Sequence, residues 1–282
     1  MNNTIIFVAD WFSNEVNGGG ELNNDEFISI VKKTGTNIQR IKSNNLTREI
    51  LNQTQDCHYI FGNFINVSQD VMDEVISGDI KYSIYEHDHK YIKTRDPSRY
   101  ANFLAPKEDL CNTHFYSGAT AVFCQSKLHS ETVEKNLGID TVHNLSGNIW
   151  STKSLDLLLS ISKNKKRNKV CIWDSSNPIK NTSKAIAYCR IKKIPYELVG
   201  NLPYENFLQE MGKNNCFMFF PETMETLCRV VVEARMMNMK TITNGTLGAT
   251  SEDWFSLKGK DLIDLMREKR ESIPKYILET IK

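Results

Sequence analysis

The sequence predicts an α/β protein of two domains, each a parallel sheet covered on both faces by helices. Short apolar runs alternate with amphipathic stretches along the 282-residue chain, the pattern of repeated strand-helix units. The length suits two modest domains, each with its own core. A polar segment, Ser146–Lys153, separates a first series of runs from a second and reads as the hinge.

Taken in order, the apolar runs Thr4–Ala9, Asn37–Ile41, His58–Phe61, Lys81–Tyr85, Ala121–Cys124 and Thr141–Leu145 are the strands of the first domain, residues 1–150. Amphipathic patterns at Glu21–Thr34, Thr47–Gln53, Ser68–Ser77 and Lys127–Leu137 supply its helices. The second domain, 151–259, has strands at Lys169–Trp173, Tyr196–Val199, Phe217–Phe220 and Thr241–Thr243. Its helices are Ser183–Lys192, Tyr204–Lys213 and Leu227–Met237. The charge run Lys163–Asn168 is a solvated loop, and Lys260–Lys282 is a charged helix.

Composition narrows the function. Apolar residues make up 40% of the chain and charged ones 24%, as in a soluble globular protein. A net charge of +1 without a basic block gives no footing for nucleic acid. No apolar stretch approaches the roughly 20 residues of a membrane span, and the start MNNTIIFVAD lacks the features of a signal peptide. Seven cysteines, odd in number and without a C-x-x-C, read as reduced core residues of a cytoplasmic protein.

The densest chemistry lies in Cys216–Ala234, CFMFFPETMETLCRVVVEA. A buried strand ends at Pro221, a short loop carries Glu222 and Glu225, and a helix is expected from about Thr226. Glu233 follows Glu225 by eight positions, two turns or roughly 12 Å along such a helix. Between the two carboxylates the free amides of the first turn, near Leu227 and Cys228, would face a ligand at the strand's carboxyl end. A nucleotide sugar has the complementary layout, hydroxyls at both ends and a diphosphate between. Each glutamate alone also fits a plainer role, Glu225 as an acid near a helix start and Glu233 as the surface partner of Arg229.

This segment resembles the retaining GT-B glycosyltransferases of the family-4 type, whose pattern is P-S-x-x-E-G-F-G-x-x-x-x-E-A. Pro221, Glu225, Glu233 and Ala234 stand at the matching places, and Met239–Asn244 with Gly248–Glu252 is similar to the strand and glycine turn that follow. The motif's two glycines are Thr226 and Cys228 here.

Four further constellations bear on the same resemblance. Gly18-Gly19-Gly20-Glu21 opens the first helix, where Gly19 and Gly20 let backbone approach a phosphate or sugar. It resembles the family's G-G-x-E element, and a flexible loop is the alternative. In WDSSNPIKN, residues 173–181, Lys180 stands where the family has its diphosphate lysine, while Ser175 replaces the partner arginine. A surface lysine beside Pro178 is the alternative there. Tyr85–His89, YEHDH, ends a strand, and His87-Asp88 resembles a His-Asp element placed opposite the donor sugar. Glu86-His87-Asp88 also fits an acid-x-acid metal site. His87 and His89 with Cys57 or His58 fit part of a zinc site, although the spacing supplies too few ligands. His89 equally fits a structural role. Val199–Tyr204, VGNLPY, would bring Leu202 and Tyr204 to the nucleotide base, or form a surface turn.

The resemblance implies a GT-B architecture, two Rossmann-like domains with parallel sheets facing across a cleft that holds the active site. The first domain would serve the acceptor, and the tail 260–282 would pack back on it. The second would bind the nucleotide diphosphate sugar, with no cofactor and no metal. Glu233 would take the ribose hydroxyls, Glu225 the donor sugar, and Lys180 with the amides near Thr226, Leu227 and Cys228 the diphosphate. His87 would act at the anomeric centre in a retaining transfer to a saccharide or other hydroxyl acceptor. The replacements at Ser175, Thr226 and Cys228 motivate the alternative, an inactive nucleotide-sugar-binding protein that serves assembly or sensing.

Overall fold

The computed structural model describes residues 4–16, 18–78, 80–200 and 202–282, so Asn201 of the Val199–Tyr204 loop and the first three residues lie outside them. The chain divides into two compact units, 1–149 with 271–282 and 150–270.

The first unit is built on β1 (Ile5–Ala9), α1 (Gly19–Lys33), β2 (Ile38–Lys42), α2 (Arg48–Gln53), β3 (His58–Phe61) and α3 (Gln69–Ser77). It continues with β4 (Tyr82–Tyr85), α4 (Thr113–Ser117), β5 (Val122–Cys124), α5 (Lys127–Leu137) and β6 (Val142–Asn144). Its six strands pair in parallel in the order β2-β1-β3-β4-β5-β6. Alternate residues of β1 feed the two faces: Ile6 and Val8 join one core with Tyr59 and Phe61, and Ile5, Phe7 and Ala9 join the other with Ile60. A strand buried on both faces reads as a continuous apolar run, which is why IIFVA is visible in the sequence.

The second unit runs α6 (Thr152–Ser162), β7 (Arg167–Trp173), α7 (Thr182–Ile191), β8 (Tyr196–Val199), α8 (Tyr204–Met211), β9 (Asn214–Phe219), α9 (Arg229–Met236), β10 (Lys240–Thr243) and α10 (Gly259–Thr280). Its four strands are parallel in the order β10-β9-β7-β8. Phe217 and Phe219 of β9 pack on one face, and Cys216 and Met218 on the other. The first half of α10 puts Leu262, Ile263 and Met266 into the larger of these cores. Its last turns put Ile273 and Ile277, and the residue just beyond its end, Ile281, into the first unit's core that holds Ile5, Phe7 and Ala9. Pro274 lies inside this helix and has no N–H for the Arg270 carbonyl, next to where the chain leaves the second unit.

Two expectations need correction. The hinge segment Ser146–Lys153 runs into a helix, α6, that the polar reading did not anticipate. The helix after Pro221 starts at Arg229, not near Thr226. Glu225 instead lies in an extended segment bridged in parallel to Leu247, its N–H donating to Thr246 O (2.9 Å) and its carbonyl accepting from Gly248 N (2.8 Å). Leu227 and Cys228 therefore precede α9, whose first-turn amides begin at Arg229. All seven cysteines are free thiols, five of them buried.

Candidate functional site

In the second sheet the chain leaves β7 for β8 on one side and returns to β9 on the other. The gap beyond the carboxyl ends of β7 and β9 is thus a topological switch point, the place where open α/β sheets receive ligands. The loops leaving these two strands meet there. Glu222 N donates to Ile179 O (2.9 Å), which seats the turn Pro178–Lys180 on the segment after β9. Lys180 Nζ consequently reaches Glu225 Oε1 at 2.6 Å, with both side chains about four-fifths covered (20% and 19% exposed). The Lys180 ammonium also stands over the Trp173 ring, 5.6 Å from its centroid. Burial acts to depress the Lys180 pKa, but the adjacent Glu225 carboxylate outweighs it and leaves the amine above its ordinary value. Ser175, where an arginine was expected, shapes the turn instead, its hydroxyl accepting from Asn177 N (3.2 Å).

Glu233, in the second turn of α9, is buried. Its Oε1 accepts from the Trp150 indole N–H (2.9 Å) and the Tyr204 hydroxyl (2.7 Å). Arg229 Nε lies 3.8 Å from the same oxygen, and its guanidinium covers the Trp150 ring at 4.3 Å. The pairing with Arg229 is real, but it is not a surface pair. Burial and the Glu233 carboxylate together push the Tyr204 hydroxyl well above its ordinary pKa, so it acts as a donor. Tyr204 is thus brought to Glu233, while Leu202 stays exposed. A Cβ on Gly200 would meet the Asp174 carbonyl oxygen at 2.1 Å, so the loop after β8 passes against the loop after β7 only with glycine there.

Cys228, the N-cap of α9, has φ +74° and ψ +73°, a left-handed conformation in which glycine is the unstrained residue. It occupies the motif's second glycine position, so the backbone keeps a glycine-like turn although the side chain has changed. Thr226 and Leu227 are buried.

In the first unit, His87 is half-buried in the loop after β4. Its Nε2 is 2.7 Å from Asn24 Oδ1 of α1, and its Nδ1 meets Gln125 Nε2 of the loop after β5. Tyr85 covers one side of the ring at 4.8 Å between centroids, and a Cβ on Gly20 would lie 3.4 Å from His87 Cγ. Gly19 and Gly20 form the first turn of α1, so they are helix rather than open loop, and Gly20 bears on the histidine.

Beneath His87 lies a buried charge network. Glu86 Oε1 accepts from the His87 and Asp88 backbone amides (2.9 and 2.8 Å) and from Lys90 Nζ (2.8 Å), and Tyr116 donates to Oε2. Burial alone would raise the Glu86 carboxyl, but Lys90 and the other donors hold it well below the carboxylate range. His89 is fully buried with φ +59°, bonded through Nδ1 to the Tyr91 hydroxyl (2.9 Å) and edge-on to His129. Burial lowers its pKa to about 4. His87 and His89 face different partners and share no ligand set with His58, which bonds Ser83 (2.9 Å). Among the described residues no group of three or more His, Cys, Asp or Glu side chains is placed to hold a metal ion.

Sequence reading missed Asn24, Gln125 and Trp150, and it placed the Arg229 partner of Glu233 on the surface. Asn23-Asn24 did leave a signal, two poor helix formers on the otherwise apolar buried face of an amphipathic helix. Gln125 stands directly after β5, at the carboxyl end where His87 stands after β4.

Known structures share this architecture. Anabaena HepE in complex with UDP-glucose matches with a TM-score of 0.53 at 12% identity, over 96% of this chain and 91% of that one. The apo lipopolysaccharide outer core galactosyltransferase WaaB matches at 0.52 and 12%, over 99% and 94%. Sucrose-phosphate synthase from Thermosynechococcus elongatus matches at 0.51 and 10%, over 99% and 92%. The chain has the GT-B fold. No protein-family model and no curated protein sequence matches it. Among the described residues no helix is long and apolar enough to cross a membrane.

Proposed function

We propose that the chain is a glycosyltransferase that takes its sugar from a nucleotide diphosphate donor. The observation that carries this reading is the pairing of Lys180 with Glu225 at the β7/β9 switch point, next to a buried, indole-held Glu233. Oε2 of Glu233 would accept the ribose hydroxyls, since both observed donors use Oε1. Lys180 would turn from Glu225 to the diphosphate, freeing Glu225 for a donor-sugar hydroxyl, and the α9 amides would add to the charge stabilisation. Tyr204 would act by holding Glu233 rather than by touching the base. His87 would contribute to transfer from the first unit. We further propose retention at the anomeric carbon, independence of metal, a saccharide or other hydroxyl acceptor, and a cytoplasmic setting.

A titration calorimetry series with UDP, GDP and ADP, followed by the corresponding nucleotide sugars and an assay for released nucleoside diphosphate, tests the reading. Binding of one nucleoside diphosphate with slow or acceptor-stimulated release is expected, persisting in chelator. Absence of binding to every one of them overturns it.

A second reading draws on three observations: Ser175 in place of a cation, a cysteine in the left-handed N-cap position, and the closed Lys180–Glu225 pair. It makes the chain a nucleotide-sugar-binding protein without turnover. Binding with no nucleoside diphosphate released under any acceptor condition selects it.

A further inference from the structure

We propose that His87 works as a neutral imidazole held in the tautomer with its hydrogen on Nε2, and that Gln125 is the positioning residue that fixes it. This rests on the glycosyltransferase reading for its catalytic meaning, but the geometry stands without it. The chain of constraint begins at a backbone carbonyl, which can only accept. Gln125 Nε2 lies 3.2 Å from the Glu86 carbonyl oxygen and therefore must be the amide nitrogen, and Gln125 Oε1 correspondingly accepts from Asn148 Nδ2 (3.1 Å). The other hydrogen of that NH2 points to His87 Nδ1, so Nδ1 is the acceptor. A neutral ring then carries its hydrogen on Nε2, which donates to Asn24 Oδ1 at 2.7 Å.

The surroundings hold this arrangement rigid. Gln125 and Asn24 are buried, and the His87 backbone is pinned by Glu86. The titratable groups near the ring include Tyr85, stacked on it, Glu86, Asp88 and Lys90 on its own loop, and His129 on α5, with Glu21 on α1 near Asp88 and Lys90. Glu86 and Asp88 are both paired with Lys90. Because both ring nitrogens are engaged by uncharged amides, His87 is not a proton shuttle. Its effect on transfer comes from the position of a fixed, uncharged ring.

The test is two-bond proton–nitrogen correlation NMR on 15N-histidine protein without substrate, His87 being assigned by the signals lost in His87→Gln. The expected wild-type pattern at about pH 7 is a pyrrole-type Nε2 and a pyridine-type Nδ1. Gln125→Leu removes the donor and should mix the tautomers, and Gln125→Glu should draw a proton onto Nδ1. If Gln125→Glu does not fold, Gln125→Met serves in its place and should mix the tautomers as Gln125→Leu does. In an active enzyme Gln125→Leu should also lower kcat about tenfold with donor KM unchanged. A wild-type ring with its hydrogen on Nδ1, or a doubly protonated one at about pH 7, overturns the proposal, as does an unchanged pattern in Gln125→Leu. The spectra need no turnover, so the tautomer stands or falls separately from the glycosyltransferase reading.

Discussion

Glu233 and Cys228 show how single side chains carry the second unit's candidate site. Glu233→Gln keeps an oxygen acceptor for the Trp150 and Tyr204 donors, so the variant should stay folded. It gives up the charge that would strengthen bonds to ribose hydroxyls, and nucleoside diphosphate affinity should fall by about 1.5–3 kcal/mol. Calorimetry decides it, and unchanged affinity would make Glu233 a purely structural carboxylate. At Cys228 two effects oppose. Left-handed φ costs a non-glycine residue roughly 1–2 kcal/mol, while the buried thiol contributes on the order of 1 kcal/mol. Cys228→Gly should therefore leave stability within about 1 kcal/mol of wild type, whereas Cys228→Val, β-branched in a left-handed turn, should cost more than about 2 kcal/mol. Equal losses in chemical denaturation for the two would mean that packing, not backbone conformation, governs the position.

At the scale of elements, α6 is the instructive case. Its apolar residues Leu155, Leu158 and Ile161 are buried at helical spacing, yet Leu157 and Leu159 flank Leu158 and blur the helical period. The start is marked by Ser151, whose hydroxyl accepts from Ser154 N at 3.0 Å, without the glutamate that would complete a capping box. Ser151→Ala should lower stability by about 1 kcal/mol, and Ser151→Asp should restore it. Urea unfolding followed by tryptophan fluorescence measures this, because Trp150, Trp173 and Trp254 all lie in the second unit. No loss in Ser151→Ala would show that the cap adds nothing. Strands buried on both faces, such as β1 and β3, were legible because burial on each side demands an unbroken apolar run. The start of α9 was not, because hydrogen bonds to the Thr246–Ala249 loop, far along the chain, hold Glu225–Leu227 extended. The acidic pair was visible in sequence. The indole, phenol and amide groups that orient it and His87 were not, because only the fold brings them together.

At the scale of the molecule, the six histidines all fall at or before His143, so the unit 150–270 contains none. Burial, with a smaller push from Lys81, lowers His58 from 6.5 to about 4. Burial likewise lowers His89 to about 4 against the opposing pull of Glu86 and Asp88, and sends His129 well below its ordinary value. Each ring binds its proton less tightly folded than unfolded, so acid favours the unfolded chain. Stability from these groups is complete above about pH 6.5 and is lost as pH falls towards about 4. For His58 and His89 the loss should reach about 2 kcal/mol each at pH 5. The effect should be confined to one unit. Hydrogen exchange read by mass spectrometry at pH 7.5 and pH 5, corrected for intrinsic rates, should show protection falling across residues 4–149 and little change across 150–270. His58→Gln, with an amide that can still bond Ser83, should remove its share of the acid sensitivity. Equal loss in both units, or a His58→Gln variant as acid-sensitive as wild type, would place the acid response in the carboxylates rather than the buried histidines.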